Sequence, residues 1–127
     1  MRAAKISLLE VGTHSGGFRV IGPPHEALRI ELWGFFGQDV ADALTHHAPA
    51  VIQHVQLAAI FTLDATNLKP QGPEGQQALR VLFRALTPVT FARGTLLASN
   101  VLTKMQLMRL VRECGLDARV GFDDSAT

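Results

Sequence analysis

Residues 58–79 read Ala58-Ala59-Ile60-Phe61-Thr62-Leu63-Asp64, then Ala65-Thr66-Asn67-Leu68-Lys69-Pro70-Gln71, then Gly72-Pro73-Glu74-Gly75-Gln76-Gln77-Ala78-Leu79. The first part is apolar apart from Thr62 and ends at an aspartate. An apolar run of this length predicts a strand, Ala58–Leu63, covered on both faces as in a parallel sheet. The middle part predicts a loop, Ala65–Gln71. Pro73 suits the first position of a helix, where its missing N–H costs little. Glu74 adds a carboxylate in the first turn, where the helix dipole favours it. The helix is predicted over Glu74–Leu86, with Ala78, Leu82 and Leu86 on one stripe. Strand, loop and helix make one half of a βαβ unit, so the fold depends on whether that unit repeats.

It repeats in both directions. Downstream, Val89–Ala92 is predicted as a short strand. Val101–Glu113 follows as a helix, with Ser99 or Asn100 as N-cap and Gly115 as its C-terminal stop. The apolar side of that helix is read as Val101, Met105, Met108 and Val111. Ala118–Phe122 is the last strand, and the polar tail Asp123–Thr127 is expected to fray. Upstream, Leu28–Phe36 opens with Leu28, Ile30 and Leu32 alternating with Arg29, Glu31 and Trp33, the period of a strand with one dry face. Lys5–Val11 and Phe18–Ile21 are predicted to pair as a hairpin through Thr13–Gly17, and a turn is read at Gly22–His25. A helix is predicted from about Asp39, with Val40, Leu44 and His47 on one side. Pro49 removes a backbone donor, so this helix is expected to stop near His47 and restart, or to kink.

Strands first and helix–strand alternation afterwards predict an α/β fold: a mixed sheet of about five to six strands, parallel in part, with about three to four helices. Its 127 residues, 47% apolar and 18% charged, suit a single domain with a core that needs no disulfide or metal. The formal net charge of +1 offers little attraction for nucleic acid or anionic lipid. Cys114, the one cysteine, favours a reducing compartment, the cytoplasm, and reads as a small buried apolar residue. The apolar run Ile6–Leu9 ends at Glu10, too short for a secretory signal. No formal charge falls between Asp42 and Asp64, but His46, His47, Pro49, Gln53, His54 and Gln56 would be costly in a bilayer. That stretch is read as a helix, a loop and a buried strand, without membrane insertion.

Catalytic and metal motifs are sparse. His47 and His54 lie seven apart with Pro49 between them, and His46 and His47 point apart on a helix, so a metal set is not completed. There is no Gly-x-Ser-x-Gly elbow, phosphate loop or dinucleotide glycine pattern. Asp64, expected at the end of a buried strand, lies where open α/β sheets place ligands. It keeps a small-ligand sensor or enzyme as an alternative; its ordinary role is to cap a loop. Arg80, Arg84, Lys104, Arg109 and Arg112 are basic positions on two helices, read as solvated faces or as a match for an acidic partner. Trp33, Phe35 and Phe36 are read as core, or as part of an interface.

The order of these features resembles the STAS domains, the fold of bacterial anti-sigma factor antagonists, over about Phe18 to Phe122. An alternating strand with glycine and a helix (Leu28–Trp33, Gly34, Asp39 onward) precedes a strand ending in aspartate (Ala59–Asp64). The glycine-containing helix start Gly75-Gln76-Gln77-Ala78-Leu79 follows, then a strand and a helix ending in Gly115-Leu116-Asp117. The resemblance implies a non-catalytic, cytoplasmic interaction module without cofactors. Its partner would be an anti-sigma-type kinase or another regulatory or scaffold protein, with a homo-oligomer also open. An accessory subunit of a membrane transporter is the alternative within the same resemblance. In members that switch, a serine at this helix start is phosphorylated. Here Gly72, Pro73 and Glu74 precede Gly75 and no hydroxyl remains, so regulatory phosphorylation is not expected at this turn. Glu74 is either an ordinary first-turn acid or a fixed substitute for a phosphoserine. The implied contact residues are Asn67, Lys69, Gly72, Pro73, Glu74, Gly75, Gln76, Asn100 and Lys104.

Overall fold

The computed structural model of the protein describes residues 7–22 and 28–123. Lys5 and Ile6, most of the Gly22–His25 turn, and the tail after Asp123 lie outside the described residues. Six strands and three helices follow in the order β1 (Ser7–Thr13), β2 (Gly16–Ile21), β3 (Leu28–Gly34), α1 (Gln38–Ala58), β4 (Ile60–Leu68), α2 (Pro73–Leu86), β5 (Arg93–Leu97), α3 (Val101–Glu113) and β6 (Val120–Phe122). The sheet order is β1-β2-β3-β4-β5-β6. The hairpin β1–β2 and the pair β2–β3 are antiparallel, while β3–β4, β4–β5 and β5–β6 are parallel. The fold is the mixed α/β arrangement that the alternation predicts.

Same-handed crossovers that advance in one direction place every helix on one face of a sheet. The burial pattern agrees. One buried cluster joins Phe18 and Val20, Ile30 and Leu32, Phe61 and Leu63, Leu96 and Val120 from the strands with Leu44 and Val51 of α1, Leu79 and Leu82 of α2, and Leu107 and Leu110 of α3. The opposite face is polar. On it Arg19 lies between Glu31 at 3.4 Å and Glu10 at 3.7 Å, and its guanidinium stacks 5.0 Å from the Trp33 ring centroid. Arg29 pairs with Asp64 on the same face. The prediction that β4 is covered on both faces is therefore corrected: Phe61, Leu63 and Ala65 are buried, while Thr62 and Asp64 line the open side.

Four departures from expectation have physical reasons. First, α1 runs unbroken through Pro49, so there is neither a stop at His47 nor a loop before β4. Pro49 is exposed, and the buried residues Leu44, Ala48, Val51, Ile52 and Val55 hold both halves of the helix against the core. Ala59 alone makes the turn into β4, at φ 69°, with its N–H donating to the Val55 carbonyl at 2.8 Å. A non-glycine residue there leaves no turn signal to read.

Second, β4 does not end at Asp64 but continues to Leu68. Glu31 pairs with Asp64 and Trp33 with Asn67, so β4 carries one extra residue as a bulge. Thr66 and Asn67 are both exposed, which breaks the alternation and makes a strand end look like a loop.

Third, the strand predicted at Val89–Ala92 is displaced to Arg93–Leu97. The β-prone Phe91 is instead buried in the connection, its ring edge-on to Phe61 at 5.3 Å, and Gly94 pairs across from Phe61. Aromatic cover compensates for the poor strand propensity of glycine.

Fourth, the buried side of α3 is Thr103, Leu107, Leu110 and Val111. Of the four residues read as its apolar side, only Val111 is buried; Val101 and Met105 are exposed and Met108 is half-buried. The helix bounds agree with expectation. Asn100 is the N-cap, and Gly115 at φ 69° follows the last turn. Among the described residues no helix is long and apolar enough to cross a membrane.

Candidate functional site: the turn into helix α2

The three helices start at the same end of the sheet, where the parallel strands finish. There the β4–α2 connection is held by Gln71, a buried polar residue. Its side-chain oxygen accepts from Phe36 N–H at 2.9 Å, and its amide nitrogen donates to the carbonyls of Gly34 at 3.0 Å and Lys69 at 2.7 Å. Its backbone N–H donates to Gln106 Oε1 at 2.8 Å, and its carbonyl accepts from Gln106 at 3.0 Å and Gln76 at 2.9 Å. One glutamine thus ties the β3–α1 loop, the β4–α2 loop, α2 and α3 together. Each bond offsets the cost of burying a polar group that would otherwise be stranded. Gly75 is part of the same device: a methyl group there would overlap Gln71 Oε1.

On this base the turn is presented outward. Gly72 is the extended N-cap of α2, Pro73 opens the helix, and Pro73 and Glu74 are exposed. Phe35, on the neighbouring loop, lies against Gly72: its Cζ is 3.4 Å from where a Gly72 side chain would begin. Phe35 is 48% exposed, and nearby α3 exposes Val101 (71%), Leu102 (59%) and Met105 (60%). Helix α3 is anchored to the bulged end of β4, with the Ser99 hydroxyl donating to the Thr66 carbonyl at 2.7 Å and Thr103 to the Leu68 carbonyl at 2.9 Å.

The candidate contact residues do not form one patch. Gly72, Pro73, Glu74, Gly75 and Gln76 are contiguous, but Gly75 is buried, and the Gln76 amide lies between the Gln71 carbonyl and Arg109, 2.5 Å away. Asn67 and Lys69 open towards the other side of the sheet, in a concavity shared with Arg19 and Trp33. The Asn100 side chain accepts from the N–H groups of Leu102 at 2.9 Å and Thr103 at 3.1 Å, so it is engaged as a cap. Lys104 reaches towards β6, its ammonium 5.3 Å from the Phe122 ring centroid, away from the α2 turn. The sequence points to the Asn67–Gln77 segment and the first turn of the Val101 helix as a surface, which takes in Gln71 and Leu102, but neither these two nor Gln106 carries a local signal that singles it out. Phe35 was visible within the aromatic cluster, although only Phe36 of that pair is core.

Asp64 is not at a strand end. Its carboxylate pairs with Arg29 and accepts the Thr66 N–H at 3.0 Å. Burial pushes the Asp64 pKa up, but the Thr66 hydroxyl and N–H together with Arg29 outweigh it, and the net shift is downward. Cys114 is buried, and burial raises its thiol, which leaves it a poor nucleophile. Ligand crevices in open α/β sheets form where the strand order reverses and crossovers part to opposite faces. This strand order never reverses.

The protein has a STAS-type α/β fold, with a mixed sheet backed by helices on one face. It is the fold of the anti-sigma factor antagonists. An anti-sigma factor antagonist from Mycobacterium paratuberculosis matches with a TM-score of 0.52 and 16% identity, over 95% of this chain and 86% of that one. The Bacillus cell fate determinant SpoIIAA, in its phosphorylated form, matches with a TM-score of 0.56 and 14% identity, over 86% of this chain and 93% of that one. No family model and no curated protein matches the chain.

Proposed function

We propose that the chain is a non-catalytic protein-interaction module of a bacterial-type regulatory or scaffold assembly, working from the cytoplasm. Its contact surface is the α2 turn and the first turns of α3. The observation that carries this reading is the pairing of a rigid base with exposed apolar groups: Gln71 fixes the turn, Phe35 and Pro73 stand exposed on it, and Leu102 and Met105 are exposed at the start of α3. Exposed apolar side chains on a pre-formed frame suit a binding surface, because little order is lost on docking. The shared fold supports a partner of the anti-sigma kinase kind. Glu74 holds a fixed carboxylate at the helix start, and no residue from Gly72 to Gly75 carries a hydroxyl. The module therefore lacks the serine switch and stays in one binding state.

Affinity capture from the native source, with the full chain as bait, tests this. The expected result is a kinase or regulatory protein retained by the wild type and lost with Pro73→Asp. Recovery of a transporter subunit would favour an accessory role at a membrane instead. No protein partner, together with specific binding of a small molecule, would overturn the reading. Glu74→Ala isolates the carboxylate: unchanged partner affinity would show that Glu74 is an ordinary first-turn acid.

A further inference from the structure

Helices α2 and α3 run side by side in the same direction, since Gln76 bonds Arg109 at 2.5 Å and Arg80 bonds Glu113 at 2.9 Å, the same offset in each pair. Together they carry Arg80, Arg84, Lys104, Arg109 and Arg112 against only Glu74 and Glu113, in a chain of formal net charge +1. The excess positive charge is thus concentrated on this pair. Arg80 is held by Glu113 and Gln77. Arg109 and Arg112 line a shallow concavity with Met105, Met108 and Glu113 on the outward side of α3, with Arg109 4.0 Å from Glu113. That side continues to Val101 and Leu102, so apolar residues recur at 101, 105 and 108, and towards the C-terminal end two arginines stand against the single carboxylate of Glu113.

We infer that the outward face of α3 docks an amphipathic helix of a different protein, its apolar stripe on Val101, Leu102, Met105 and Met108 and its carboxylates against Arg109 and Arg112. A three-four apolar spacing along a straight helix forms a ridge that another helix can accept. An antiparallel partner helix would bring its N-terminal turn, where acidic residues are favoured, to the arginines. A second copy of this chain fits poorly. A two-fold contact through Met105 would bring Arg112 of each copy to the partially positive N-terminus of the other copy's α3. The inference rests on the interaction-module reading and adds the chemistry of the partner.

The test places a photo-crosslinking amino acid at Met105, and separately at Pro73, in the full chain expressed in its native cells. The expected adduct from position 105 maps to a helical segment of another protein with apolar residues three and four apart and carboxylates at one end. The double charge reversal Arg109→Glu/Arg112→Glu is expected to lower its yield by about tenfold or more, while Arg109→Lys/Arg112→Lys keeps most of it. An adduct on a second copy of this chain, on lipid or on a segment without carboxylates would overturn the inference, as would indifference to charge reversal. A protein adduct from position 73 but none from 105 would reject this face and leave the interaction-module reading standing. Adducts from neither position would reject both.

Discussion

Gln71 shows why a site can be hidden in its own sequence. Glutamine has no strong preference for loop or helix, and nothing beside it signals that its side chain turns inward. Its role follows from three chain segments converging, which only the tertiary fold brings about. Gly75 is legible in hindsight, since a glycine two residues after a helix-opening proline is otherwise unfavourable. The two should be energetically coupled. Gly75→Ala is expected to cost about 1–3 kcal/mol by overpacking, and Gln71→Ala about 2–4 kcal/mol by stranding buried polar groups. In urea unfolding the double variant should be less destabilised than the sum, because shortening residue 71 removes the overlap. Strict additivity would refute the coupling. Asp64 carries a pH signature. Its pKa in the folded protein lies below the ordinary value of 3.8. Its stabilisation is therefore complete above that value and is lost as the pH falls through the lowered folded pKa. Arg29 is 38% exposed, so screening limits the pair to about 1 kcal/mol. Asp64→Asn should lower the urea midpoint at neutral pH, and the gap should close below pH 3.8; a constant gap would contradict the assignment.

Elements with an uninterrupted period were readable. The alternation of β3 agrees with the sequence reading because it follows one geometric rule along its length, and the bounds of α3 agree because Asn100 and Gly115 mark its ends. Errors arose where two influences conflict. In β4 a bulge interrupts the period of two, so a nine-residue strand passes for a shorter one and a loop. In α3 the hydrophobic residues surround more than one side, and hydrophobicity alone cannot tell the core stripe from the outward one. The side read as apolar is, apart from the buried Val111, the side proposed to meet a partner. In α1 the signal of Pro49 is outweighed by the buried residues flanking it. The penalty should persist in the folded helix: the Pro49 ring occupies an exposed position and supplies no backbone donor. Pro49→Ala is accordingly expected to raise stability by about 1–3 kcal/mol, seen as a higher thermal and urea midpoint. A lower midpoint would mean that the ring serves a packing role.

At the scale of the whole molecule, the α/β class and its partly parallel sheet were readable from element order, because a helix between two strands leaves few arrangements open. The one-sidedness of the sheet was not, since it depends on the direction in which successive crossovers advance. That direction has a consequence for how the chain comes into being. Every strand pairs with the strand that precedes it in the chain, from β1 to β6. A polypeptide leaving the ribosome therefore never has to open a finished pair to admit a later strand. The β1–β2–β3 meander can form as soon as it emerges, and each later helix–strand segment finds its docking edge already built. The last addition, β6, is only three residues long. Nascent chains of this topology need not hold a central strand gap open while awaiting distant residues, a state prone to mispairing in sheets whose middle strand is made last.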